Sequence, residues 1–129
     1  MKKRILVVDD EVALTRMVKM NLERSGDDYE VRTENQGVKV VAAVRDFWPD
    51  LIFLDVMMPD MSGDEVAQQL REDPVLAGIK IVFMTAIVTK EETSEMSGNI
   101  GGNEFLAKPV KTEELIATIE RILGPDQSS

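Results

Sequence analysis

The chain has 129 residues, enough for one compact domain with little left for a second. Its 43% hydrophobic residues can fill a two- or three-layer core, and its 30% charged residues can coat the surface. Having neither cysteine nor histidine, it cannot build disulfides, thiolate or imidazole metal sites, or Ser-His and Cys-His catalytic pairs, and a net charge of −9 works against binding nucleic acid or an anionic membrane.

Lys2, Lys3 and Arg4 precede a short apolar run, as in a secretory leader, but the run ends after Val8 in Asp9, Asp10 and Glu11. No stretch approaches the ~20 apolar residues of a membrane span. A cytoplasmic chain is the expectation. Ile5-Leu6-Val7-Val8 itself reads as a strand buried on both faces. Leu14, Met17, Val18 and Leu22 then recur at helical spacing until Ser25-Gly26. Tyr29 to Thr33 alternates apolar and polar residues, the pattern of a half-exposed edge strand. Val38, Val41, Val44 and Trp48 mark a second amphipathic helix, closed by Pro49.

Leu51-Ile52-Phe53-Leu54 is a second buried strand, again ending in an acid, Asp55. Met57 to Met61 forms a loop, and Ser62-Gly63-Asp64-Glu65 has capping-box spacing for a helix with Val66 and Leu70 inward. Ile81-Val82-Phe83-Met84 is a third buried strand ending at Thr85. Thr89 and Glu92 offer a cap for a fourth helix with a thin apolar face, followed by Gly98, Gly101 and Gly102. Phe105-Leu106-Ala107 makes a short last strand before Lys108-Pro109. Leu115, Ile119, Ile122 and Leu123 form the final helix, stopped by Gly124-Pro125.

Strands alternating with helices in this way predict an α/β fold. The expected form is a doubly wound, five-stranded parallel sheet of order 2-1-3-4-5, a flavodoxin-like three-layer sandwich. The half-polar second strand and the short fifth belong at its edges. Residues 1–124 form the expected domain, and 125–129 a short tail or linker stub.

Ligands of such sheets bind at the carboxyl ends of the strands. Just past the buried strands stand Asp9 and Asp10, Asp55, Thr85 and Lys108. Crowded carboxylates raise one another's pKa, and a divalent cation relieves the conflict; with only oxygen ligands on offer, Mg²⁺ is the natural choice. Lys108 can pair with Asp55 or with a phosphoryl oxygen, and Thr85 can donate a hydrogen bond to the same group. A carboxylate can itself be the nucleophile of phosphoryl transfer. Taken singly, each residue has a plainer reading. Asp10 is then a helix cap, Asp55 the start of a turn, Thr85 a strand end, Lys108 a solvated lysine, and Phe105 core. Met57, Met58 and Met61 read as packing, and Glu91, Glu92 and Glu95 as a solvated helical face. The shared position at one rim carries the functional reading.

Four segments in order resemble the CheY-like receiver domain of bacterial two-component response regulators, from about Lys3 to about Leu123. They are Val7-Val8-Asp9-Asp10-Glu11, Leu54-Asp55-Val56-Met57-Met58-Pro59 with Ser62-Gly63, Met84-Thr85-Ala86, and Phe105-Leu106-Ala107-Lys108-Pro109. The resemblance implies that Asp55 accepts phosphate from a sensor histidine kinase or histidine phosphotransfer protein. It implies Mg²⁺ surrounded by Asp9, Asp10, Asp55 and the Met57 backbone carbonyl, with Asp9 acting through water. Thr85 and Phe105 match the switch pair, and Lys108-Pro109 the usual cis peptide. The implied output is a change at the face of the fourth helix, fifth strand and fifth helix, altering binding to a downstream effector that the sequence does not name. A monomer or a phosphorylation-dependent dimer is expected, with no nucleic acid bound by this chain.

Rival functions fit less well. A haloacid-dehalogenase-like phosphatase needs a second acid two residues after its nucleophile, where this chain has Met57. A degenerate receiver loses an acid, the threonine or the lysine, and all are kept here. A nucleotide-binding flavodoxin-type domain needs a Gly-rich loop after its first strand, where this chain has an acid pair. Met57 and Ile87 are apolar where some relatives carry polar groups that orient water, so slow self-hydrolysis of the phosphoryl group is expected. Phe105 lacks the hydroxyl of the family's common tyrosine.

Overall fold

The computed structural model describes residues 2–25, 28–86, 99–100 and 103–124. Its elements are β1 (Lys3–Val8), α1 (Val12–Glu23), β2 (Tyr29–Glu34), a 3₁₀ turn (Gly37–Lys39) running into α2 (Val40–Phe47), β3 (Leu51–Asp55), α3 (Gly63–Glu72), β4 (Lys80–Thr85), β5 (Asn99–Ile100), β6 (Asn103–Ala107) and α4 (Thr112–Leu123). The predicted fourth helix from Thr89, with Ile87, Gly26, Gly98, Gly101, Gly102 and the tail 125–129, lies outside the described residues.

The strands lie in the order β2-β1-β3-β4-β6-β5. All neighbours pair in parallel except β5 and β6, which are antiparallel. The predicted five-stranded order 2-1-3-4-5 is therefore present, with β6 as its fifth strand. The two-residue β5 adds to it and takes the edge that the short last strand was expected to occupy.

Side chains alternate between the two faces of each strand, which sorts the core into two layers. Leu6, Val8, Ile52, Leu54 and Phe83 face α2 and α3 through Val40, Val44, Phe47, Val66 and Leu70. Ile5, Val7, Leu51, Phe53, Val82 and Met84 face α1 and α4 through Val18, Leu22, Leu115 and Ile119. Because β1 and β3 are covered on both sides, their apolar runs are continuous, and burying each large side chain contributes about 2 kcal/mol.

Two helix faces differ from the periodicity. In α1 the inward residues are Thr15, Val18 and Leu22, while Met17 is 50% exposed. In α2 they are Val40, Ala43, Val44 and Phe47, leaving Val38 and Trp48 exposed. The reason is where α2 begins and ends. It grows out of a 3₁₀ turn, and Pro49 disfavours helical geometry at the residue before it, so Trp48 leaves the helix at φ 54°.

Candidate functional site

The β1–β3 register ends with Val8 opposite Leu54, which sets the next residue, Asp9, beside Asp55. Asp55 in turn pairs with Met84, and Thr85 with Ala107, so β4 and β6 finish at the same rim. The Lys108 N–H donates to the Thr85 carbonyl at 2.9 Å, carrying the lysine to that rim. The Lys108–Pro109 peptide is cis.

Asp9, Asp10 and Asp55 each bring a carboxylate oxygen within 4.8 Å of the others. Asp9 and Asp55 are buried and Asp10 is exposed. Lys108 Nζ lies 2.6 Å from Asp9 Oδ2 and 3.3 Å from Asp55 Oδ1. Among the described residues, two of the three carboxylates, Asp9 and Asp55, thus share the Lys108 ammonium. The other Asp9 oxygen accepts the Glu11 N–H at 3.0 Å, and the Met57 N–H donates to Asp55 Oδ1 at 3.3 Å. Asp10 does not serve as the cap of α1: the N-cap position belongs to Glu11, and no side chain caps there.

Burial pushes the Asp55 carboxyl up to about 6, and the neighbouring Asp9 charge adds to the rise; Lys108 and the Met57 N–H pull the other way. Burial also works against the Lys108 charge, but its hydrogen bond to Asp9 and the two carboxylate charges outweigh that and raise it. Burial is the main cause of the Asp55 rise, and the ammonium, engaged more closely by Asp9, offsets only part of it.

Thr85 is buried, and it shares the α2–α3 side of the sheet with Phe83 and Phe105. Phe105 is partly buried and stacks on Phe83, with ring centroids 5.2 Å apart. On the other side of Asp55, α3 begins very close to the acceptor's own backbone. A Cβ on Gly63 would lie 2.4 Å from the Asp55 carbonyl oxygen, so only glycine fits there. Ser62 caps this helix by accepting the Glu65 N–H at 3.3 Å.

Of the rim residues singled out from sequence, Asp9, Asp10, Asp55 and Lys108 come together through their side chains, Thr85 joins through its backbone carbonyl to Lys108, and Met57 through its N–H to Asp55. Sequence reasoning missed Asn35, Thr15 and Asp60, which hold the loops carrying them. Their partners are distant in sequence, and no local pattern marks them.

A doubly wound sheet with acids, a hydroxyl and a lysine at its carboxyl rim has its polar groups where such folds take their ligands. The family model for the response regulator receiver domain matches residues 5–120, and the chain belongs to that family. It is 38% identical over 124 residues to the alkaline phosphatase synthesis transcriptional regulatory protein PhoP of Bacillus subtilis, covering 95% of this chain and 49% of that protein. It is 36% identical over 121 residues to the DNA-binding response regulator MtrA of Mycobacterium tuberculosis, covering 92% and 50%. The chain spans about half the length of these curated relatives. Among solved structures, the chemotaxis protein CheY4 of Vibrio cholerae superposes with a TM-score of 0.78 at 30% identity, over 95% of this chain and 99% of that one. A response regulator of Chloroflexus aurantiacus superposes with a TM-score of 0.79 at 27% identity, over 97% and 100%. Receiver domains are signalling switches of two-component systems. Among the described residues, no helix is long and apolar enough to cross a membrane.

Proposed function

We propose that Asp55 is the phosphoacceptor of this receiver and takes its phosphoryl group from a phosphohistidine on a sensor kinase or phosphotransfer protein. An Asp55 carboxylate oxygen attacks phosphorus, the donor's P–N bond breaks, and Asp55 becomes an acyl phosphate. The supporting observation is the set of three carboxylates with oxygens within 4.8 Å of one another, two of them paired with the Lys108 ammonium. Such an oxygen-only donor set with excess negative charge fits a hard divalent ion. Asp10, Asp55 and the Met57 carbonyl would hold Mg²⁺, with Asp9 acting through a water. Bound there, the ion supplies charge neutralisation for the phosphoryl oxygens.

The chain's own residues do the rest. Lys108 pairs with Asp9 and Asp55 at rest and follows the charge onto a phosphoryl oxygen after transfer. The modification adds about −1.5 to −2 charge at Asp55. Thr85 donates its hydroxyl to the new group, and Phe105 turns inward into the space Thr85 leaves. The partner-binding face formed by the predicted fourth helix, β6 and α4 then changes.

In this reading the chain turns over no external substrate and works in the cytoplasm. Residues 1–124 form the receiver and 125–129 a tail or linker stub. The chain is a monomer or dimerises on phosphorylation. With a net charge of −9 it binds no nucleic acid itself, so DNA binding of the kind named for its relatives would fall to another domain or partner. Incubation with acetyl phosphate and Mg²⁺ should add one phosphoryl group, seen by mass spectrometry. EDTA or Asp55→Ala should abolish it; undiminished labelling of Asp55→Ala would sink the assignment.

A further inference from the structure

Beyond the last paired residues of β1 and β3, sheet hydrogen bonds no longer set the path of the chain. Val8–Leu54 is the final pair, so Asp10 and the Met57 peptide sit on loops whose separation other contacts must hold. The segment between β2 and α2 touches both loops. Asn35 Nδ2 donates to the Asp9 carbonyl at 2.8 Å and to the Thr15 hydroxyl at 3.0 Å. The Asp9 N–H donates to the Glu34 carbonyl at 3.1 Å.

Two residues further on, the Gly37 and Val38 N–H groups donate to the two Asp60 carboxylate oxygens, each at 3.1 Å. These bonds hold the Asp60 carboxyl below the usual carboxylate range, with Val38 the larger cause. The approach is close: a Cβ on Gly37 would lie 2.9 Å from both Cβ and the carbonyl oxygen of Met61. Pro59, immediately before Asp60, restricts the backbone between this anchor and Met57.

We infer that Asp60 and Asn35 are positioning residues, the two ends of a strap through Glu34–Val38 that holds the Met57 loop at a set distance from the acid pair. The inference rests on the proposed Mg²⁺-dependent phosphorylation of Asp55. Neither residue touches the phosphoryl group. Each acts by fixing where oxygen ligands stand, as outer-shell partners of metal sites do.

The test uses the full chain, with Mg²⁺ binding followed by calorimetry and the initial rate of phosphorylation by acetyl phosphate. Asp60→Ala should weaken Mg²⁺ about tenfold, with Asp60→Asn recovering part through its remaining acceptor oxygen. Asn35→Ala should act in the same direction. Because the two links lie in series, the double variant should bind Mg²⁺ no more weakly than the weaker single. Asp73→Ala is the control: it removes bonds to Val75 and Arg45 at the far end of α3 and should lower stability without changing Mg²⁺ affinity. A folded Asp60→Ala with wild-type affinity overturns the strap, as do additive losses in the double variant or an equal loss in Asp73→Ala. Should Asp60→Ala not fold, Asp60→Asn and Asn35→Ala carry the same comparison. If the wild-type chain neither binds Mg²⁺ nor takes phosphate, the proposed function itself fails. Wild-type activity beside an indifferent Asp60→Ala overturns the strap alone.

Discussion

Lys108 sits closer to Asp9 than to Asp55, with its ammonium 2.6 Å from the first and 3.3 Å from the second. Asp9 is fully buried, so the lysine is the counter-charge of a carboxylate shielded from bulk solvent. Removing one partner of such a pair leaves an uncompensated charge. Lys108→Ala should destabilise the metal-free protein by about 3 kcal/mol, measured by urea unfolding in EDTA. Mg²⁺ should restore more stability to this variant than to the wild type, since the cation and the ammonium satisfy the same oxygens. Equal stability of the two proteins in EDTA would contradict this account.

The raised Asp55 carboxyl makes a signed prediction about pH. Its folded value of about 6 lies above the ordinary 3.8, so the folded chain holds that proton more tightly than the unfolded one. As pH rises from about 4 to about 6, the unfolded state releases the proton first, and stability falls by about 2–3 kcal/mol before levelling off. Asp60 and Asp73, held below the ordinary range, work in the opposite sense, losing their contribution as pH falls. The difference between wild type and Asp55→Asn isolates the Asp55 part. In EDTA, Asp55→Asn should gain on wild type across that window; a constant difference would refute the shift.

Gly63→Ala tests how tightly α3 is set against the acceptor. The added Cβ would stand 2.4 Å from a backbone oxygen, which a rotamer change cannot relieve. The helix start or the Asp55 peptide has to move, at a cost of about 1–3 kcal/mol. Phosphorylation should slow along with the loss of thermal stability. A variant as stable and as fast as wild type would show that the contact yields without consequence.

Met57 bears on the lifetime of the acyl phosphate. The residue is apolar and 61% exposed, next to the rim where water must attack. Met57→Asn supplies a group able to orient that water and should shorten the lifetime several-fold, followed by loss of the phosphoryl group by mass spectrometry. An unchanged lifetime would count against a role for this position.

Much of this protein was written in short stretches of its sequence. Parallel strands covered on both faces must be continuously apolar, so the runs Ile5–Val8, Leu51–Leu54 and Ile81–Met84 marked the central sheet, and the residues following them marked its reactive rim. Tertiary structure decided what depends on partners far along the chain. The Lys108–Asp9 bond spans 99 residues, Asn35–Asp9 26 and Gly37–Asp60 23, and hydrogen bonds at such separations leave no periodic trace. The exposure of Met17 and Trp48 and the edge position of β5 belong to the same class, because each follows from how elements meet. Local patterning chose the elements and their order. Packing alone set which carboxylate the lysine prefers, and packing buried the Asp55 carboxyl, the main cause of its unusual proton affinity.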